Sequence, residues 1–256
     1  LKGELILKRI GIPKNAKFVC VSARDAVYLK KVLPKKNLSH HNYRDSNIQN
    51  YISSIKFLIK KNFYVIRMGK FVDKKVKIKN KKFIDYPFHP MKSDFMDIFL
   101  AYRCFFWIGN TGLDIMPMIF RKPILYANGS AFLSILYYTG KTLLLSKIYS
   151  NSKNKKMSIS KVFDSGTAAA YRSELYKTKH VKLLENSPKE LKEATIEMLE
   201  LMKNSWKRKK RDRKLIKKFN KLFFKKLKEY NLIHFNNKSK LNYSASFLKR
   251  NPWFLN

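Results

Sequence analysis

Cysteine is nearly missing from this sequence: Cys20 and Cys104 are the two thiols in 256 residues. Two thiols make no disulfide framework, and the scarcity points to a reducing compartment. Glycine and proline are scarce as well, at eight each, which excludes collagen-like repeats and low-complexity linkers. No apolar run reaches the roughly 18 residues that a membrane-spanning helix needs. The longest candidate, 131–146, is interrupted by Gly140 and Lys141. The opening Leu1-Lys2-Gly3-Glu4 lacks the apolar core of a signal peptide. Because the first residue is not methionine, we expect an upstream part to be missing. Acidic residues are also few: 17 Asp and Glu stand against 56 Lys and Arg, for a net charge of +39.

Such an excess attracts polyanions, whether nucleic acid, anionic lipid or phosphorylated metabolites. Lysine outnumbers arginine about four to one, and Asn and Ile are plentiful, a bias that AT-rich codons also produce. The basic residues run the whole length and form no recognisable nucleic-acid module, so nucleic acid is not the expected partner. A basic nucleic-acid-binding module is kept as the alternative reading. What is abundant is core material: 45% hydrophobic and 14% aromatic residues, which excludes a disordered chain.

Lys17-Phe-Val-Cys-Val-Ser22 is an apolar run that predicts a buried strand. Ile48, Tyr51, Ile52, Ile55, Leu58 and Ile59 then recur at helical spacing, with Asp45 and Ser46 placed to cap and Asn62 to close. Phe63–Met68 predicts the next strand, stopped by Gly69. Strand, helix, strand in this order is a βαβ unit. The alternation continues with strands at 83–85, 104–108 and 123–126 and helices at 94–102 and 113–120. A strand over 142–147 is expected, as is a helix from Ser187-Pro188 onward. Strands this apolar face no water on either side, so we expect an α/β fold with a doubly wound, Rossmann-like parallel sheet. A basic amphipathic helix over 214–230 docks on this domain, lies against anionic lipid, or does both.

Ligands of open α/β sheets bind at the carboxyl ends of the strands. Three such ends are polar: Arg24-Asp25, Arg67-Met68-Gly69 and Gly109-Asn110-Thr111-Gly112. The last, running into a helix, offers backbone N–H groups, the Thr111 hydroxyl and a positive dipole end to an anion. It is neither a Walker loop nor a dinucleotide fingerprint. The Arg24 guanidinium suits a diphosphate, or an internal ion pair with Asp25 or Asp45. Arg44 reaches toward the same cleft, and Asp45 beside it is a candidate base or only a helix cap. Arg67, inside an apolar strand, needs a partner there or serves the site. His40 and His41 stand without a Cys, His or carboxylate cluster, so no metal site is expected.

The runs Tyr43-Arg-Asp-x-x-Ile48-x-x-Tyr51, Tyr64-Val-Ile-Arg-Met-Gly69, Asp85-Tyr86, Asp97-Ile-Phe-Leu100, Cys104-x-Phe-x-Ile-Gly-Asn-Thr-Gly112 and Phe120-Arg-Lys-Pro-Ile-Leu125 together resemble a family of bacterial glycosyltransferases. More distantly, the layout resembles the nucleotide-sugar-binding half of GT-B enzymes such as heptosyltransferases and the fucosyltransferase-like group. The close part covers about residues 17–128 and continues more loosely to Phe254.

The resemblance implies the C-terminal half of a GT-B fold. Residues 1–16 would be a remnant or linker, 17–202 the nucleotide-sugar-binding domain and 203–256 a basic helical extension. It implies metal-independent transfer of a sugar from a nucleotide-sugar substrate to a carbohydrate or lipid-linked acceptor in cell-surface polysaccharide or glycolipid assembly, without a cofactor. It places Arg24 and the turn Gly109, Asn110, Thr111 and Gly112 at the donor phosphates; the strand-end reading adds Arg44, Arg67 and Gly69 as donor-binding candidates. Asp25 and Asp45 are the carboxylates in reach for catalysis. The heptosyltransferase turn carries an Asp and a downstream His; here Asn110 and Asp114 stand without that His. The acceptor domain would be mostly or wholly absent, so an inactive, truncated sugar-nucleotide-binding remnant stands as a further alternative. The expected place of work is the cytoplasmic side of the inner membrane, with the basic C-terminal helix near anionic lipid.

Overall fold

Strands that are apolar without alternation must be covered on both faces, and that requirement decides the architecture. The computed structural model describes residues 2–137, 140–232 and 240–256. The first half runs α1 (Lys2–Arg9), β1 (Phe18–Val21), α2 (Val27–Val32), α3 (Ile52–Lys60), β2 (Tyr64–Arg67) and β3 (Phe83–Asp85). It continues through α4 (Asp94–Arg103), β4 (Phe106–Gly109), α5 (Ile115–Ile119), β5 (Ile124–Gly129) and β6 (Thr142–Ser146). Strands β7 (Ile148–Ser150) and β8 (Lys182–Leu184) bracket α6 (Ile159–Asp164) and α7 (Ser173–Thr178). Helices α8 (Pro188–Lys203), α9 (Lys210–Glu229) and α10 (Ala245–Arg250) follow.

Strands β1 to β6 form one parallel sheet in the order β3-β2-β1-β4-β5-β6, with Cys20 of β1 paired to Ile66 on one side and Trp107 on the other. This is the strand order of a doubly wound, Rossmann-like sheet, as expected. Every residue of β1, β4, β5 and β6 is buried, so both faces are covered. The order reverses between β1 and β4, where crossovers leaving in opposite directions open a crevice at the carboxyl ends. Strands β7 and β8 pair antiparallel as a separate ribbon.

Local signals explain most helix ends. Ser93 caps α4 by accepting the Met96 N–H at 3.2 Å, with Asp94 and Asp97 in the first turn. Ser187 and Pro188 start α8 as expected. The cap expected at Asp45 and Ser46 falls instead to Asn47, which accepts the Gln49 N–H at 2.9 Å. A 3-10 turn, Ile48–Tyr51, precedes α3 and shifts its start. Asn62 ends that helix in the left-handed region, at φ 67°.

The ends of the chain feed the same core. Leu7, Ile10 and Ile12 are buried at one end and Leu241, Tyr243 and Phe254 at the other. Helix α9 turns Ile216, Phe219, Phe223 and Leu227 inward. There Phe219 stacks on Tyr243 at 4.3 Å and Phe223 meets the edge of Phe132 at 5.5 Å. Its apolar stripe is thus covered by protein, while its lysines stay outside. Cys20 and Cys104 are buried, free thiols. No helix among the described residues is long and apolar enough to cross a membrane.

Candidate functional site

The carboxyl ends of β1 and β4 open into a cleft of about 440 Å³. Arg24, Asp25, Arg44, Gly69, Thr111 and Gly112, all singled out from the sequence, line it. His41, Lys70, Asp97 and the rings of Tyr28 and Phe71 complete the wall.

The floor is built on Asp114. Its carboxylate accepts the indole N–H of Trp107 at 2.8 Å, the Ser22 hydroxyl at 3.3 Å and the Thr111 N–H at 2.9 Å. Complete burial pushes this carboxyl up to about 7 despite those donors. Glycine is required at 109, because a Cβ there would overlap the Ser22 hydroxyl and stand 3.0 Å from Asp114 Oδ1. Thr111 Oγ1 accepts the Leu113 N–H at 3.2 Å. The amides of Thr111 and Leu113, expected to be open to an anion, are therefore occupied inside the turn. Thr111-x-x-Asp114 is a capping box, and that signal was present in the sequence. Gly112 is exposed with open space around it.

Three expected site residues point elsewhere. Arg67 is buried, donating to Asp85 Oδ1 at 3.2 Å and to the Lys74 carbonyl at 2.5 Å. It ties the ends of β2 and β3 together and does not line the cleft, because a guanidinium inside a sheet needs a carboxylate partner there. Asn110 is buried beneath the cleft, its Nδ2 donating to the Asn128 carbonyl at 2.6 Å. It fastens β4 to β5, as Gly109 fits β4 against β1. Asp45 forms an ion pair with Arg24 and faces a neighbouring recess with Lys147 and Glu185. Burial drives Arg24 downward and Asp45 upward, toward their neutral forms, and the pair opposes both shifts. Asp25 lines the cleft, but its two oxygens accept the N–H groups of Val27 at 3.0 Å and Asp73 at 3.1 Å.

The segment bearing Arg44 and His41 is a 3-10 turn, Ser39–Arg44, held from outside the main sheet. Ser173 of α7 donates to the Ser39 carbonyl at 3.1 Å and accepts the Tyr43 N–H at 3.2 Å. Lys147 donates to the carbonyls of Tyr43, at 3.1 Å, and Asp45. Burial lowers its ammonium to about 8. Glu185 accepts the Asn47 N–H at 2.9 Å. None of these three clamps was singled out from the sequence; a lysine after an apolar strand carries no local sign of burial.

Two further cleft residues were not among the site residues expected from the sequence, although Asp97 stands in a run that carries the resemblance. Asp97 is buried in the first turn of α4, and its Oδ1 has no hydrogen-bond partner. Burial raises its carboxyl to about 6, against the pull of Lys92. His41, weighed from sequence only as a metal ligand, has a buried, unpartnered Nδ1. Burial and then His40, Arg24 and Arg44 hold its ring below the usual imidazole range. Among the described residues no group of three His, Cys, Asp or Glu is placed to hold a metal ion. Comparison of the chain with protein-family models, curated proteins and solved structures finds no match.

Proposed function

We propose that this chain is a glycosyltransferase domain that binds a nucleotide-diphosphate sugar in the β1–β4 cleft and passes the sugar to a hydroxyl acceptor. One observation carries the reading: Arg24, Arg44 and His41 meet the exposed Gly112 in one cleft at the point where the strand order reverses. That is where doubly wound sheets bind nucleotides, and the cleft is of ligand size. Arg24 and Arg44 supply forked donors for the diphosphate. Tyr28 and Phe71, with ring centroids 6.3 Å apart, offer an apolar flank for the base.

Transfer breaks the bond between the anomeric carbon and the diphosphate oxygen, and the electron pair leaves with the diphosphate. The two guanidinium groups stabilise that developing charge. The acceptor oxygen bonds to the same carbon and gives its proton to a carboxylate. Asp25 is held by two amides and Asp45 by Arg24, which leaves Asp97, with its unpartnered oxygen, as the base. The acceptor class is the one the resemblance implies, a growing cell-surface polysaccharide or glycolipid.

The test is thermal unfolding with a panel of nucleotide diphosphates and nucleotide sugars. Ligand at 100 times its dissociation constant stabilises by about 2.7 kcal/mol. A melting shift that Arg24→Ala removes supports the donor site and identifies the nucleotide. No shift with any nucleotide, together with salt-sensitive binding of DNA or RNA, overturns the reading in favour of a basic nucleic-acid-binding module.

A further inference from the structure

The helices beside the cleft also carry an exposed apolar row. Phe95, Ile98 and Tyr102 recur three and four residues apart along α4, and Ile115 and Ile119 one turn apart on α5, which packs beside it. All five are 45% to 70% exposed. Leu5 is exposed as well, on α1, which meets α4 through Gly3 against the Phe99 ring and Glu4 with Arg103. Scattered apolar side chains are ordinary on a surface; a row across adjoining helices marks an interaction face.

The rim of this face is cationic. Lys2 Nζ lies 5.3 Å from the Phe95 ring centroid and Lys122 Nζ 5.4 Å from that of Tyr102. Arg121 is exposed after α5. Of the acids nearby, Glu4 pairs with Arg103, Asp94 pairs with Lys70, and Asp97 is buried. A second copy of the chain would set one cationic rim against another, which opposes association. An anionic lipid surface has the complementary sign and an apolar layer beneath it.

We infer that the α4–α5 face seats on an anionic membrane surface. The isoleucines and aromatic rings enter the boundary of headgroups and acyl chains, and the rim lysines meet headgroup phosphates. This face is distinct from the basic C-terminal helix, whose apolar stripe lies against the protein core. Phe95 and Ile98 flank Asp97, and Ile115 closely follows Leu113 of the cleft wall. A lipid-linked hydroxyl would thus arrive at the edge of the cleft. That last consequence rests on the transferase reading; the lipid contact does not.

Vesicle flotation of the full chain tests it, with phosphatidylcholine alone and mixed with phosphatidylglycerol, and with no nucleotide present. The chain is expected to float with the anionic vesicles. The double variant Ile98→Ser, Ile119→Ser is expected to lower partitioning about tenfold or more, from the apolar burial lost. Lys2→Glu with Lys122→Glu is expected to remove the preference for anionic vesicles. Lys217→Glu with Lys221→Glu, on the exposed side of α9, is expected to retain binding. An unchanged melting temperature in each variant shows that the fold is intact. Flotation lost only in the α9 variant overturns the proposal, as does no flotation with anionic vesicles, including the case where sedimentation shows a dimer that Ile119→Ser dissociates. Nucleotide binding is measured separately, so either reading fails without the other.

Discussion

A carboxyl group without solvent must collect donors or keep its proton, and Asp114 does both. Its folded value of about 7 lies above the ordinary carboxylate value of 3.8. Below about pH 4 the group is protonated in both states; above that the unfolded chain loses the proton first. Stability therefore falls as pH rises toward 7 and then levels. Asp114→Asn is expected to remove most of that slope, leaving the smaller one that Asp97 contributes up to about 6. It should also lower stability at the acid end of that range, since an amide has one acceptor oxygen where the carboxyl group has two. Urea unfolding between about pH 4 and pH 8 measures both effects. Gly109→Ala drives a methyl into the Ser22 hydroxyl, and we expect a loss of about 1–3 kcal/mol in the same assay. For Asp97→Asn the expected result is different: nucleotide-induced stabilisation kept, and turnover lowered by about 10²-fold or more in a transfer assay. Loss of the melting shift in that variant would place Asp97 in donor binding instead.

At the scale of elements, the 3-10 turn Ser39–Arg44 depends on bonds from outside, because a short turn has few of its own. It is positioned by groups over a hundred residues away, Ser173 on α7 and Lys147 after β6, while Glu185 after β8 holds Asn47 just beyond it. Ser173→Ala is expected to speed hydrogen exchange at the Tyr43 amide, which loses its acceptor, and to weaken nucleotide stabilisation without abolishing it. Unchanged exchange at Tyr43 would show that Ser173 does not hold the turn. The helix that carries Ser173 was hard to see in the sequence, as was its neighbour in the chain. Helices α6 and α7 are six residues each, less than two turns, too short for a 3.6-residue period to stand out. Among long elements, α8 was visible from its cap and spacing and the 20-residue α9 from its spacing.

At the scale of the molecule, the basic C-terminal stretch belongs to the core. Phe219 and Phe223 are fully buried among Phe132, Phe163, Tyr243 and Phe254. Phe219→Ala is expected to cost about 3–5 kcal/mol, with circular dichroism and tryptophan fluorescence still reporting one coincident transition. A separate, earlier loss of helix signal would mark 203–256 as an independent appendage.

Composition and periodicity alone determined the sheet. Runs such as Phe-Val-Cys-Val and Phe-Trp-Ile, apolar on consecutive positions, can only be buried on both faces, so the strands are parallel and their polar ends gather at one edge. Arg24, Gly69 and Thr111 were placed there by that reasoning. Which polar groups face the cleft was decided only in three dimensions. Arg24 and Arg67 both end apolar strands, yet one lines the cleft and the other pairs across the sheet with Asp85. Hydrophobic period is a local property of the chain, whereas the partner of a buried charge is whatever the fold brings within hydrogen-bond reach, and no local pattern encodes that distance.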